Sequence, residues 1–118
     1  MKILIADDDR LVRVMLTDLL TELGHTVVQA ENGADAVALS AREAPDLLIL
    51  DFLMPKLSGL DAIKAIRLTR AVPAVLLTAI QEGSLRGLDG VEEIQVLLQK
   101  PFTRRTLERA IRDAIRLR

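Results

Sequence analysis

The chain alternates two apolar patterns. Short unbroken aliphatic runs recur at residues 3–6, 47–50 and 74–77, with a shorter one ending at Gln99 and a weaker one at 26–30. Runs of this length bounded by turn residues read as strands buried on both faces, as in a parallel sheet. Between them, apolar residues return every three or four positions, which is helical spacing. Leu11, Met15, Leu19 and Leu23 make one such stripe, widened by Val12, Leu16 and Leu20, and Gly24 stands where that helix would end. Asn32-Gly33 opens an alanine-rich helix through Val37, Ala38 and Ala41 to Ala44, stopped by Pro45. Leu60, Ile63 and Ile66 mark a third helix, ending before Pro73, and a final helix runs from Thr103 to about Arg116.

The strands so predicted are 2–6, 26–30, 47–51, 74–78 and 95–99. Repeated strand–helix units with short turns imply an α/β fold, a parallel sheet with helices on both faces. Right-handed crossovers and an early reversal of winding give the flavodoxin-like (βα)5 arrangement, strand order 2-1-3-4-5. At 118 residues the chain is expected to form one domain spanning 1–118. In that order the first and third strands are neighbours at the switch point. Ligands of open α/β sheets bind at the carboxyl ends of such strands.

Both of those strands end in acid. The first runs into Asp7-Asp8-Asp9 and the third into Asp51, followed by the turn residues Met54-Pro55 and Gly59. One aspartate after a strand is ordinarily a turn or cap residue. Two such ends converging are a different matter, because crowded carboxylates repel and raise each other's pKa unless a cation sits among them. Mg2+ suits the site, taking a few carboxylate oxygens while keeping several waters. Asp7 and Asp8 are read as metal ligands, and Asp9 as the N-cap of the first helix.

Two further polar residues close strands on the same edge. Thr78 ends PAVLLT, and Lys100 follows VLLQ just before Pro101. A hydroxyl can donate one hydrogen bond to an anionic oxygen, and an ammonium pairs with carboxylate or phosphoryl oxygen as a compact point charge. Alone, each reads as a cap or a solvated charge; together with three aspartates they read as one site.

Composition narrows the setting. A net charge of −1 implies no general attraction to nucleic acid or anionic membrane. The absence of cysteine removes disulfide and thiolate chemistry and fits a reducing cytoplasm. No apolar run approaches the ~20 residues of a membrane span. The expectation is a cytoplasmic domain with no membrane and no nucleic-acid contact of its own.

DDD after the first strand, LDFLMPKLSG after the third, LLTA after the fourth and QKPF after the fifth, in that order, resemble the CheY-like receiver domain of two-component response regulators. The resemblance covers essentially the whole chain. It implies transfer of a phosphoryl group to Asp51 from a histidine kinase, a histidine phosphotransfer protein or a small phosphodonor. It implies Mg2+ on Asp7, Asp8, Asp51 and the backbone carbonyl of Leu53, with Thr78 and Lys100 as the family's hydroxyl and lysine. It further implies a cis peptide before Pro101, and a switch in partner binding rather than an enzyme: phosphoryl transfer and loss are self-catalysed only. Two other readings have different chemistry. An aspartyl-nucleophile phosphohydrolase also opens with D-x-D, which Asp7 and Asp9 satisfy, but leaves Asp51 and Lys100 without a role. A phosphorylation-independent pseudo-receiver would not need the full set of acids, Thr78 and Lys100.

Three departures from the family pattern stand out. Leu97 occupies a position where most receivers carry an aromatic ring. Residues 81–93 should supply a helix, yet contain Gly83, Gly87 and Gly90, each costing a helix interior about 1 kcal/mol relative to alanine. Ser58 replaces an acidic residue common in that turn. The final helix also carries Arg104, Arg105, Arg109, Arg112 and Arg116, followed by Arg118, read either as a solvated face complementing the helix dipole or as a docking surface for an acidic partner.

Overall fold

The computed structural model describes residues 1–80, 94 and 96–116. The strands are β1 (Lys2–Ala6), β2 (Thr26–Ala30), β3 (Leu47–Asp51), β4 (Ala74–Thr78) and β5 (Val96–Gln99). They form one parallel sheet in the order β2-β1-β3-β4-β5. The expected order is therefore the observed one. Four helices lie among the described residues: α1 (Arg10–Glu22), α2 (Gly33–Glu43), α3 (Gly59–Arg67) and α4 (Arg104–Arg116). The interrupted helix expected over 81–93 lies outside the described residues.

The pleat divides each central strand between two cores. Leu4, Leu48, Leu50 and Leu76 face α2 and α3, meeting Ala36, Leu60, Ile63 and Ile66. Ile3, Ile5, Ile49 and Leu77 face the other way, onto Leu16 and Leu20 of α1 and Leu107 and Ile111 of α4. Both faces of β1, β3 and β4 are thus covered, which is why their sequences are continuously apolar instead of alternating. Burying one such side chain contributes about 1.5–3 kcal/mol.

Local signals end the helices where the chain must turn. Asp9 is the N-cap of α1, its side chain accepting from the Leu11 N–H at 2.9 Å. At the other end Gly24, at φ +90°, donates to the Thr21 carbonyl while His25 donates to Leu20, a Schellman closure. Asn32 and Ser58 cap α2 and α3 through the N–H groups of Asp35 and Asp61. Ser58, a departure in sequence, is thus a working cap.

One expectation about α1 needs correction. Leu11 and Met15 do not face the core: they are 66% and 45% exposed, and Val14 is 45% exposed. The buried line is Arg13, Leu16 and Leu20, flanked by half-buried Val12, Leu19 and Leu23. Apolar residues surround most of this helix, so spacing alone leaves its rotation open, and the sheet decides it. No helix among the described residues is long and apolar enough to cross a membrane.

Candidate functional site

The strand register carries the acids to one edge. Ala6 pairs with Leu50 and Asp51 with Leu77, so Asp7 leaves β1 beside Asp51 at the end of β3. Asp7 is fully buried and Asp51 is 6% exposed, while Asp8 is an exposed residue. One carboxylate oxygen from each of Asp7, Asp8 and Asp51 falls within 4.8 Å of the others. Asp9 stays out of this group, occupied at the helix cap.

Lys100 closes the site from the far end of the sequence. Its Nζ donates to Asp7 Oδ2 at 2.9 Å and lies 3.4 Å from Asp51 Oδ1. The Lys100 N–H donates to the Thr78 carbonyl at 2.7 Å, which ties the β5 exit to β4. Thr78 is 2% exposed, and its hydroxyl oxygen accepts from the Ile80 N–H at 2.9 Å, leaving the hydroxyl proton available to donate. The Lys100-Pro101 peptide is cis.

The electrostatics follow from this crowding. Burial, then the charge of Asp7, pushes the Asp51 carboxyl up to about 6; Lys100 opposes the shift and Asp8 adds to it. Burial works against the Lys100 ammonium, but its hydrogen bond to Asp7 and the charge of Asp51 outweigh that and raise its pKa. One lysine does not balance three carboxylates. The donor set is all oxygen, and the surplus is negative, so a hard divalent cation fits the cluster.

The 52–58 loop is held close beneath the site. A Cβ on Gly59 would overlap the Asp51 carbonyl, and one on Gly33 would overlap the Leu57 carbonyl. These two glycines let the loop pass between Asp51 and the start of α2, anchored by the Gly59 N–H donating to the Phe52 carbonyl at 3.0 Å. Leu53 lies in this loop and is 63% exposed. Leu97 is half-buried and packs against the α2–α3 side of the core.

Sequence reasoning missed one buried participant, Arg13. Its Nη1 donates to the Asp7 carbonyl at 2.7 Å, and its Nη2 lies 3.7 Å from Glu31 Oε1. The available signal was its spacing, three and seven residues before Leu16 and Leu20, a cation placed on the core-facing line. On α4, Arg104 pairs with Glu22 of α1 and with Glu108, and Arg116 with Asp113. Arg105, Arg109 and Arg112 are exposed.

Comparison with known proteins agrees with this geometry. Residues 3–112 match the family model described as the response regulator receiver domain. The chain is 40% identical over 119 aligned residues to the transcriptional regulatory protein CpxR of Escherichia coli K12, covering 98% of this chain and 49% of that protein. It is 37% identical over 118 residues to the probable transcriptional regulator ycf27 of Porphyra purpurea, covering 98% of this chain and 47% of the relative. The chain thus spans about half the length of these relatives. Among solved structures, the receiver domain of a Pseudomonas aeruginosa sensor histidine kinase, with a magnesium ion coordinated in its active-site cleft, superposes with a TM-score of 0.87. It is 29% identical, over 97% of this chain and 96% of that one. The chemotaxis response regulator CheY4 of Vibrio cholerae gives a TM-score of 0.85 at 26% identity, over 96% and 97% of the two chains.

Proposed function

Since the chain belongs to the response regulator receiver family, we propose that it accepts a phosphoryl group on Asp51 from a histidine kinase or histidine phosphotransfer protein, or from a small phosphodonor. The observation that carries this reading is the Lys100 ammonium, 2.9 Å from Asp7 and 3.4 Å from Asp51. Lys100 neutralises part of the acidic edge and stands where transferred phosphoryl oxygens need a positive charge.

Above pH of about 6 the Asp51 carboxylate is ionised and can attack phosphorus as a nucleophile. The P–N bond of a phosphohistidine donor breaks, its electron pair returns to the imidazole, and an acyl phosphate forms on Asp51. Lys100 offsets charge on the equatorial oxygens and the Thr78 hydroxyl donates to one of them. Mg2+, held by Asp7, Asp8, Asp51 and the Leu53 carbonyl, would supply further charge neutralisation. Leu11, Val14 and Met15, exposed on the helix that begins beside Asp9, offer the donor protein an apolar approach.

In this reading the domain is a switch and not an enzyme with a separate turnover substrate: the added charge reorders nearby loops and changes partner binding. It touches no nucleic acid itself. Any such contact would belong to the remainder of a longer regulator, of which this domain would be about half.

Acetyl phosphate with Mg2+ should add one phosphoryl group by intact mass, lost on treatment with hydroxylamine, and Asp51→Asn should remain unlabelled. Stoichiometric labelling of Asp51→Asn, or no labelling of the wild type by acetyl phosphate or phosphoramidate, would overturn the assignment.

A further inference from the structure

An arginine in a core is expensive unless its charge and donors are used, because the desolvated guanidinium loses its water. Arg13 is 8% exposed and sits on the same buried line of α1 as Leu16 and Leu20. Leucine or methionine would fill that position with no such cost. Its use is visible at both ends of its fork. Nη1 donates to the Asp7 carbonyl at 2.7 Å in buried surroundings, and Nη2 reaches toward Glu31, whose side chain is 75% exposed.

The Asp7 carbonyl is a special acceptor. The β1 ladder ends at Ala6 on both sides, so this carbonyl lies beyond the strand pairing that satisfies its predecessors. It also belongs to the rigid peptide plane that joins Asp7 to Asp8. Turning that plane swings the two carboxylates relative to each other. The other polar groups of Asp7 are already held: its N–H donates to the Ala30 carbonyl at 3.3 Å, Oδ1 accepts from the Asp9 N–H at 2.8 Å, and Oδ2 accepts from Lys100 at 2.9 Å. Arg13 supplies the remaining restraint.

We propose that Arg13 is a positioning residue for the acidic cluster, locking the Asp7–Asp8 peptide plane so that both carboxylates converge on a divalent cation together with Asp51. The proposal rests on the reading of that cluster as a magnesium site, and it assigns no ligand role to Arg13 itself. Its sign separates it from simpler roles. Through charge alone, removing a cation from beside three carboxylates tightens cation binding. As core filling alone, Arg13→Met leaves affinity unchanged in the folded protein. A lost positioning contact weakens it, and outer contacts of this kind are worth roughly tenfold or more in metal affinity.

The test is a Mg2+ titration of the full 118-residue chain, read from the backbone amide resonances of Asp8 and Asp51, with thermal melting recorded separately to establish folding. Arg13→Met should bind Mg2+ roughly tenfold more weakly than wild type, and Arg13→Lys, which keeps the charge on a single donor nitrogen, should fall between them. Unchanged or tighter binding by folded Arg13→Met overturns the proposal while leaving the magnesium site in place. A wild type whose amides ignore Mg2+ overturns the site and the proposal together. Should Arg13→Met not fold, the wild-type guanidinium decides. Its Nη resonances should be resolved and should shift with the same Mg2+ midpoint as the Asp8 amide, and a guanidinium silent to Mg2+ overturns the proposal.

Discussion

Leu50 and Asp51 are adjacent on β3, and both are buried, yet their environments run in opposite directions. Leu50 is fully enclosed among Leu4, Leu76 and the residues of α2 and α3, an apolar side chain removed from water. Asp51 sits one residue farther along, where burial and the neighbouring Asp7 charge push its carboxyl up to about 6. The sheet therefore changes character within a single peptide unit: packing dominates up to Leu50, and unbalanced charge begins at Asp51. The strained charge is tolerable because the aliphatic strands behind it supply the stability that the site spends. A carboxyl perturbed by burial and a neighbouring charge is a mark of sites of chemistry, here beside Lys100 and Asp7 at the sheet edge.

The largest effect should come from breaking the packed side. Leu50→Ala removes a fully buried side chain and should cost about 2–5 kcal/mol, measured by denaturant unfolding of the metal-free protein. A loss below about 1 kcal/mol would mean the site collapses around the gap far better than a close-packed core should.

Asp51→Asn should act with the opposite sign. The folded-state carboxyl titrates near 6 against an ordinary value of 3.8, so between those values the native protein holds more protons than the unfolded chain. Stability of the metal-free wild type should therefore fall as pH rises from about 4 to 6 and then level off. The asparagine variant lacks this loss. It should match wild type near pH 4 and exceed it at pH 7 by about 1 kcal/mol, a value discounted for solvent at the open mouth of the site. Paired melting curves across this range in EDTA check the sign. A variant less stable than wild type at pH 7 would show that the Asp51 charge is held favourably, and the contrast with Leu50 would be lost.

The smallest effect sharpens the boundary between acids. Asp9 accepts from the Leu11 N–H and takes no part in the carboxylate cluster. Asp9→Ala should cost about 1 kcal/mol of stability through the lost cap, with Mg2+ affinity changed less than twofold by amide titration. Asp8→Ala should do the reverse, sparing stability and weakening Mg2+ binding severely. An Asp9→Ala protein that binds no Mg2+ would redraw that boundary.

What the sequence determined by itself was local or strongly periodic. The strands were legible because a run such as LLIL can be satisfied only when covered on both faces, and their order followed from the handedness of the crossovers. Asp9, Gly24 and Asn32 were readable as helix ends, since caps depend on neighbours a few residues away. The convergence of Asp7, Asp8 and Asp51 was legible once the first and third strands were placed side by side, as the register of β1 on β3 places them.

The tertiary structure alone decided matters that depend on direction and distance. The rotation of α1 was one: a helix apolar around most of its circumference has no unique inner face until a sheet lies against it. Packing against β1 and β2 buried Leu16 and Leu20 and left Leu11 and Met15 in solvent. The same rotation carried Arg13 inward to a carbonyl that strand pairing had left without a donor, a need no helical pattern records. The grip of Lys100 on Asp7 joins residues 93 positions apart. Nothing in the sequence says that this lysine prefers Asp7, at 2.9 Å, over Asp51, at 3.4 Å. The lysine reaches both acids because β5 lies beside β4, where the Lys100 N–H is tied to the Thr78 carbonyl.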